Sequence, residues 1–93
     1  MSHLHTVNSL TRLPLCLRTF DREHDRLLLI EDGVYGAVNE EQQRLLKGLS
    51  VFVLLDDLQA RGLSSRVERG IAEITMADFV RLCGEADRVI NWF

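Results

Sequence analysis

Several features that mark large classes of protein are missing from this sequence of 93 residues. A single proline and six glycines leave no flexible linker or low-complexity segment. The longest apolar runs, at positions 27–30 and 51–55, are far shorter than the about 20 residues that a membrane-spanning helix needs. The opening residues 1–5 contain neither a basic segment nor an apolar stretch, so we expect no secretory signal. The sequence therefore predicts one domain over residues 1–93 that has no membrane segment.

A basic excess is missing as well. Eleven basic and fourteen acidic residues give a net charge of −3, whereas a protein that binds nucleic acid through phosphates usually carries an excess of lysine and arginine. Neither glycine-rich phosphate-binding motif, G-x-G-x-x-G or G-x-x-x-x-G-K-[ST], occurs in the chain. We therefore expect no direct binding of nucleic acid and no nucleotide held by such a loop.

Cysteine is scarce, with Cys16 and Cys83 far apart in the chain. Disulfide frameworks belong to short secreted chains, and this chain shows no export signal. The two cysteines are therefore expected to be free thiols in a reducing cytoplasm.

What is present is an alternation of short apolar runs with helix-forming stretches. Runs that are apolar on both faces fit buried parallel strands, and they occur at 4–7, 27–30, 51–55 and, more weakly, 71–75. Helical patterns lie at 10–20, 33–49, 57–62 and 77–86. This order predicts an α/β fold, a small three-layer sandwich with a mostly parallel sheet of four or five strands.

Acidic pairs follow two of the predicted strands, at the end of a parallel sheet where ligands usually bind. Glu31 and Asp32 come after the second strand, and Asp56 and Asp57 come after the third. They could form a polar cleft for a small ligand, or they could cap the helices that follow. The spacing of Asp57 to a glycine at position 62 favours the capping role for that residue.

The two histidines near the start of the chain give a weaker indication of a functional site than the acidic pairs. His3 and His5 alternate on the first predicted strand, so both imidazoles can face the same side. A metal ion would need at least one more ligand, which the spacing does not supply. We therefore predict no metal site, and no Ser/His/Asp catalytic set can be assigned.

Cys16 has two interpretations that depend on where the first helix begins. If Leu13 is the cap and Pro14 the first helical residue, the Cys16 sulfur lies near the positive end of the helix dipole, which favours the thiolate. Arg12 and Arg18 are close in sequence and could add to this effect. Cys16 would then react faster at pH 7 than an ordinary cysteine with a pKa of about 8.5.

An earlier helix start, near Ser9, would instead place Cys16 in mid-helix as an inert core residue beside Leu13 and Leu17. Free cysteine is among the most frequently buried residue types, which favours this alternative on spacing alone. By the same rule Cys83, on the apolar face of the last predicted helix, is expected to lie in the core.

Five segments, taken in order, resemble the TusB/DsrH family of sulfur-relay subunits. They are LHTVN at 4–8, LLIEDGVY at 28–35, DLQARGL at 57–63, DFVRL at 78–82, and a chain end at Trp92. Together they span nearly the whole chain, and Cys16 falls where the sulfur-oxidising DsrH branch carries its cysteine. The resemblance shifts the interpretation of Cys16 toward a functional thiol.

The resemblance implies a DsrE/F/H-like fold and a place in a cytoplasmic complex with related TusC/DsrF-like and TusD/DsrE-like subunits. Sulfur would move as a persulfide between cysteines, with Cys16 as the candidate carrier and no metal or organic cofactor. The destination would be 2-thiolation of the tRNA wobble uridine or, alternatively, dissimilatory sulfur oxidation. Two other hypotheses stay open: a purely structural subunit whose partner carries the reactive cysteine, and a small-ligand domain that uses Glu31 and Asp57.

The end of the chain, residues 89–93, is more apolar than a free terminus needs, and its aromatic residues are of a type enriched at interfaces. We therefore expect association with the related subunits or, without them, self-association. The alternative is that Trp92 and Phe93 fold back onto the sheet.

Overall fold

Five strands alternate with helices along this computed structural model, which describes residues 2–93. The strands are β1 (His3–Val7), β2 (Arg26–Leu29), β3 (Ser50–Leu54), β4 (Ile71–Ile74) and β5 (Arg88–Trp92). The α-helices are α1 (Leu13–Thr19), α2 (Glu40–Leu46), α3 (Leu55–Ala60) and α4 (Met76–Glu85). Two 3₁₀ segments, Leu10–Arg12 and Glu31–Ala37, follow β1 and β2.

The strands form one sheet in the order β4-β3-β2-β1-β5, and every neighbouring pair is parallel. The central strand β2 carries Leu27, Leu28 and Leu29, all with no exposed surface, because helices cover it on both sides. The predicted α/β fold with a parallel sheet is confirmed.

The strand order determines which face of the sheet each helix covers. From β1 to β4 the chain moves across the sheet in one direction, and it then returns to place β5 beside β1. Crossover connections between parallel strands are right-handed. A helix in a connection that runs from β1 toward β4 therefore lies on the opposite face from a helix in the connection that returns to β5. As a result α1, α2 and α3 cover one face, and α4 alone covers the other.

Two core clusters correspond to these faces. The first, beneath α1, α2 and α3, joins fourteen buried residues: Val7, Leu13, Cys16, Phe20, Leu27, Leu29, Val34, Ala37, Leu46, Leu49, Val51, Val53, Leu58 and Leu63. The second, beneath α4, has only Leu4, Leu28, Ile74 and Leu82 as buried members. Most of its other members, such as Ile30 and Phe52, are partly exposed. The fold thus has one closed face and one open face.

Helix boundaries differ from the sequence predictions in three places. The stretch 10–20 divides into a 3₁₀ turn followed by α1. The stretch 33–49 likewise divides into a 3₁₀ segment followed by α2. Asn39 caps α2, because its side chain accepts hydrogen bonds from two backbone N–H groups. Helix α3 begins at Leu55, two residues before Asp57, and has no side-chain cap. The predicted capping role of Asp57 is therefore wrong.

The sequence pattern predicts a sheet of four or five strands but does not identify the last strand, β5. Its residues pair with β1 from His3 to Val7 and are half exposed because β5 is an edge strand. Thr6 donates its hydroxyl hydrogen to the Asn91 side-chain oxygen at 2.5 Å, which links the two strands.

Candidate functional site

Cys16 lies one turn into α1 on the closed face of the sheet. Helix α1 begins at Leu13, with Arg12 as its cap and Pro14 in its first turn, whereas the first interpretation made Leu13 the cap. The 3₁₀ segment Leu10–Arg12, which begins after Ser9, leads directly into α1, as the second interpretation expected. The Cys16 side chain turns inward and has no exposed surface. It belongs to the same core cluster as Leu13 and Phe20. The helical conformation thus starts before Leu13, and the Cys16 thiol lies in the core rather than at an accessible helix end.

Burial determines the acidity of this thiol. Loss of hydration, and secondarily the negative charge of Asp25, raise the pKa of Cys16 from 9.0 to about 12. Arg12 and Arg18 are exposed and do not contribute to lowering it. At pH 7 the thiol is therefore almost entirely protonated. Burial and the raised pKa therefore argue against the expected fast reaction of this thiol in the chain on its own, and its reactivity stays a prediction.

A chain of hydrogen bonds lies beside Cys16. Trp92, at the end of β5, donates its Nε1–H to His5 Nδ1 at 3.0 Å, and His5 Nε2 lies 2.9 Å from Asp25 Oδ2. The indole can only donate, so Nδ1 of His5 must accept and its hydrogen must sit on Nε2, pointing at Asp25. The Phe20 ring packs on the imidazole with centroids 5.0 Å apart. His5 is thereby held in one tautomer inside the core.

The Asp25 carboxylate accepts the hydrogen bond from His5 and two further hydrogen bonds from backbone N–H groups. Burial by itself would raise the pKa of Asp25. Backbone N–H groups of Asp21 and His3, each 2.9 Å from a carboxylate oxygen, and the His5 ring outweigh burial and lower the pKa below its ordinary value. Asp25 therefore stays ionised in the folded protein and ties the start of β2 to β1.

Within residues 2–93, His3, His5 and Asp25 form the group of side chains that could hold a metal ion. One donor atom each from His3, His5 and Asp25 lie within 4.8 Å of one another. A metal at His5 Nε2 would require the hydrogen to move to Nδ1, where it would face the Trp92 N–H. The hydrogen bonds thus disfavour a metal there. Asp25 was missed in the sequence because a loop residue twenty positions from His5 gives no spacing signal.

One carboxylate of each acidic pair at the carboxyl ends of the strands binds a protein group. Asp57 Oδ2 accepts from the Glu31 backbone N–H at 2.6 Å, and this bond holds Glu31 in a left-handed backbone conformation with φ of 49°. Arg61 binds Asp32 Oδ1 through two nitrogens at 2.9 and 3.0 Å. These contacts connect the loop after β2 to α3, whereas Asp56 is exposed. Of the carboxylates proposed for a ligand cleft, Asp57 and Asp32 therefore have protein partners, whereas Glu31 takes part through its backbone N–H.

A family model described as DsrH like protein matches residues 7–89. The chain belongs to the DsrH-like family. The family resemblance found in the sequence is confirmed, and membership supports a role as a sulfur-relay subunit.

Individual relatives of this DsrH-like chain cover almost its whole length. Protein TusB of Escherichia coli O81 (strain ED1a) is 38% identical over 97 residues, covering 96% of this chain and 99% of the relative. Protein TusB of Escherichia coli O139:H28 (strain E24377A / ETEC) is 37% identical with the same coverage. The crystal structure of ychN protein from E. coli has a TM-score of 0.75 and 18% identity, covering 97% of each chain, which shows a shared fold.

The sequence also singles out Cys83 and the aromatic residues at the end of the chain. Cys83 packs against the smaller core cluster but is only partly buried, so it is more accessible than Cys16, in contrast to the expectation that Cys83 lies in the core. Trp92 folds back onto the closed face, whereas Phe93 is 64% exposed. Among residues 2–93 no helix is long and apolar enough to cross a membrane.

Proposed function

We propose that this chain is a subunit of a cytoplasmic sulfur-relay complex that delivers persulfide sulfur toward 2-thiolation of the tRNA wobble uridine. The identity of 38% to TusB, over 96% of this chain and 99% of that protein, supports this destination over dissimilatory sulfur oxidation. Its partners are the related TusC/DsrF-like and TusD/DsrE-like subunits. The net charge of −3 is consistent with a subunit that does not itself bind tRNA.

Each relay step needs an ionised, accessible cysteine. The acceptor thiolate attacks the outer sulfur of a donor Cys–S–SH group, so a new S–S bond forms at the acceptor while the donor's S–S bond breaks. The donor leaves as a thiolate and takes up the proton that the acceptor thiol released. The step is a transfer of neutral sulfur and needs no oxidant, reductant or metal.

Cys16 does not meet these requirements in the chain alone, since it has no exposed surface and its pKa is raised to about 12. This one observation carries our assignment of roles. The subunit contributes its surfaces to the complex, and the partner related to TusD/DsrE supplies the reactive cysteine. Cys16 then serves as a packing residue beneath α1.

A second candidate function retains Cys16 as a persulfide carrier in the assembled complex. Its position in the first turns of α1, where the DsrH branch of the family has its cysteine, favours this alternative. It requires that partner binding move α1 away from the sheet, so that the thiol becomes hydrated and its pKa falls.

Reconstitution of the complex separates the two candidates. The experiment compares Cys16→Ala with the matched control Cys83→Ala, each assembled with the two partner subunits and supplied with a persulfide donor. Persulfide on each subunit is read by mass spectrometry, and 2-thiouridine is measured in the tRNA. We expect that omitting the chain abolishes thiolation and that both variants support it at the normal rate.

Two results would change the assignment. Loss of transfer in Cys16→Ala, with normal assembly and normal transfer in Cys83→Ala, would establish Cys16 as a carrier. Full tRNA thiolation without this chain would contradict the proposed function altogether.

A further inference from the structure

The edge strand β5 is joined to the sheet along one side, where it pairs with β1. Within residues 2–93, two side-chain hydrogen bonds add to this backbone pairing. Thr6 binds Asn91 on the open face, and His5 binds Trp92 on the closed face. We refer to Arg88–Trp92 as the strap, because Trp92 at its end packs against the closed core.

The anchor of the strap depends on a free lone pair of His5. Trp92 Nε1–H donates to His5 Nδ1 at 3.0 Å, and the two rings are nearly parallel, inclined by 13°. The indole nitrogen is a donor only, so this bond exists only while Nδ1 carries no hydrogen. The docked position of Trp92 is therefore specific for the neutral imidazole.

Protonation of His5 would set two donors against each other. The Nε2–H of His5 already donates to Asp25 Oδ2 at 2.9 Å, so an added proton must go to Nδ1. The new Nδ1–H would face the Trp92 N–H, and two donors cannot bond to each other. Departure of the indole removes this conflict and admits water to the imidazole, which favours its charged form.

Four other titratable or charged groups lie on the elements around this imidazole. Asp25, before β2, is ionised and pairs with Nε2, so it offers the imidazolium a counter-charge. Cys16, on α1, stays neutral because burial raises its pKa to about 12. The His3 ring on β1 is 6.5 Å from the His5 ring, and Arg88 of the strap pairs with His3 rather than with His5. The remaining charged residues of α1 and of the turn after it are exposed: Arg18, Asp21, Arg22, Glu23 and His24.

We propose that β5 is a proton-sensitive strap, whose indole anchor stays on the closed face while His5 is neutral and is released when His5 takes up a proton. The Thr6–Asn91 bond lies on the other face and contains no titratable group, so the movement centres on Trp92. Release uncovers the His5–Asp25 pair at the edge of the closed core. The device uses groups of this chain alone and is independent of the proposed sulfur-relay function.

Fluorescence of the full chain tests the release, because Trp92 is its one tryptophan. From about pH 8 to about pH 5, where histidine side chains titrate, we expect the emission to move to longer wavelength and acrylamide quenching to rise about twofold or more. Asp25 stays ionised over this range, since its pKa lies below 3.8. An unchanged emission of Trp92 would overturn the proposal.

Nuclear magnetic resonance of the isotope-labelled chain follows both partners of the bond in one titration. The Trp92 indole N–H and the His5 ring nitrogens should change with a single midpoint, while the amide signals of β2 stay those of the folded chain. Two separate midpoints, or loss of the folded signals of β2 together with that of Trp92, would contradict a local release.

Histidine variants assign the proton. His5→Asn keeps an acceptor near the position of Nδ1 but cannot gain a proton, so its Trp92 fluorescence should not change with pH. The controls His3→Gln and His24→Gln, at the other two histidines of the chain, should respond as the parent does. A response that persists in His5→Asn, or that disappears in either control, would show that His5 is not the sensor.

Trp92→Phe provides a second variant that leaves His5 and Asp25 in place. It keeps an aromatic ring at the end of the strap but has no N–H, so nothing opposes a hydrogen on Nδ1. Because linked equilibria are reciprocal, His5 should bind its proton about threefold or more tightly than in the parent. The control Phe93→Leu, at a residue that is 64% exposed, should leave proton binding unchanged. Equal proton binding in Trp92→Phe and the parent would overturn the proposal.

Discussion

The two faces of the sheet differ in how completely they are covered, although both pack against the same five strands. Three helices and a 3₁₀ segment bury fourteen residues on the closed face, whereas α4 alone buries four on the open face. The difference follows from the strand order, since three crossovers run one way across the sheet and one runs back. Topology, more than local hydrophobicity, thus determines on which face this small domain has its core and on which face apolar residues stay partly exposed.

The two cysteines illustrate the same contrast. Cys16 is beneath α1 on the closed face with no exposed surface, and Cys83 is on α4 with part of its surface accessible. Both occur in apolar helical patterns, and the sequence does not distinguish their accessibility. Their accessibility differs because α1 packs on the closed face of the sheet, whereas α4 packs on the open face.

The largest expected effect comes from the buried carboxylate of the closed face. Asp25→Ala leaves the His5 ring and two backbone N–H groups without their acceptor, and we expect it to lower the free energy of unfolding by about 3–5 kcal/mol. The control Glu85→Ala removes an exposed partner of Arg26 and should cost less than about 1 kcal/mol. Urea denaturation measures both, and equal losses would contradict the structural role of Asp25.

The dependence of stability on pH sharpens this expectation. The pKa of Asp25 is lowered from 3.8 in the folded state, so its ionised form stabilises the fold above that value and the contribution is lost as the pH falls through the folded-state pKa. Stability of the parent chain should therefore decline below about pH 4. In Asp25→Asn the decline should be smaller, and an unchanged decline would contradict the assignment.

A leucine on each face tests the packing difference directly. Leu29→Ala removes a side chain that is fully buried on the closed face, and we expect a loss of about 3–4 kcal/mol in unfolding free energy. Leu82→Ala, beneath α4 on the open face, should cost about 2 kcal/mol because a single helix can settle into the space. A larger loss for Leu82 than for Leu29 would contradict the contrast between the faces.

The cysteines provide a smaller test of the same contrast. Cys16→Ala should lower the unfolding free energy by about 1 kcal/mol, since it leaves a small cavity in the closed core. Cys83→Ala should have less effect because Cys83 is partly exposed. Denaturant midpoints of the two variants check the order, and the reverse order would show that Cys83 is the better packed residue.

The smallest effect is expected at the surface of the open face. Val80 on α4 is 66% exposed, so Val80→Gln should change the unfolding free energy by less than about 0.5 kcal/mol. The same variant should weaken assembly with the partner subunits if they cover α4. Sedimentation of the mixed subunits measures this, and assembly equal to that of the parent would place the interface elsewhere.

Sequence patterns predicted the α/β class and the parallel sheet, because apolar runs are local signals. They left two starts open for the first helix, and the structure combines them, since the 3₁₀ segment that begins after Ser9 leads directly into α1. They did not predict β5 as a strand, since its half-exposed residues lack the continuous apolar pattern of β2. Asp25, which precedes β2, was also missed, because its role depends on contacts with His5 and His3 on the neighbouring strand β1. Side-chain direction at Cys16 likewise depends on tertiary packing.

Alkylation of single-cysteine variants tests the central claim, that the Cys16 thiol of this subunit is closed inside the core. Cys83→Ser retains only Cys16, and Cys16→Ser retains only Cys83, so a maleimide at pH 7 reports each thiol separately. We predict that Cys83 reacts at a rate proportional to reagent concentration, while Cys16 reacts only as fast as the chain opens and rapidly in denaturant. Reaction of Cys16 in the native chain as fast as an unstructured peptide thiol would contradict the account.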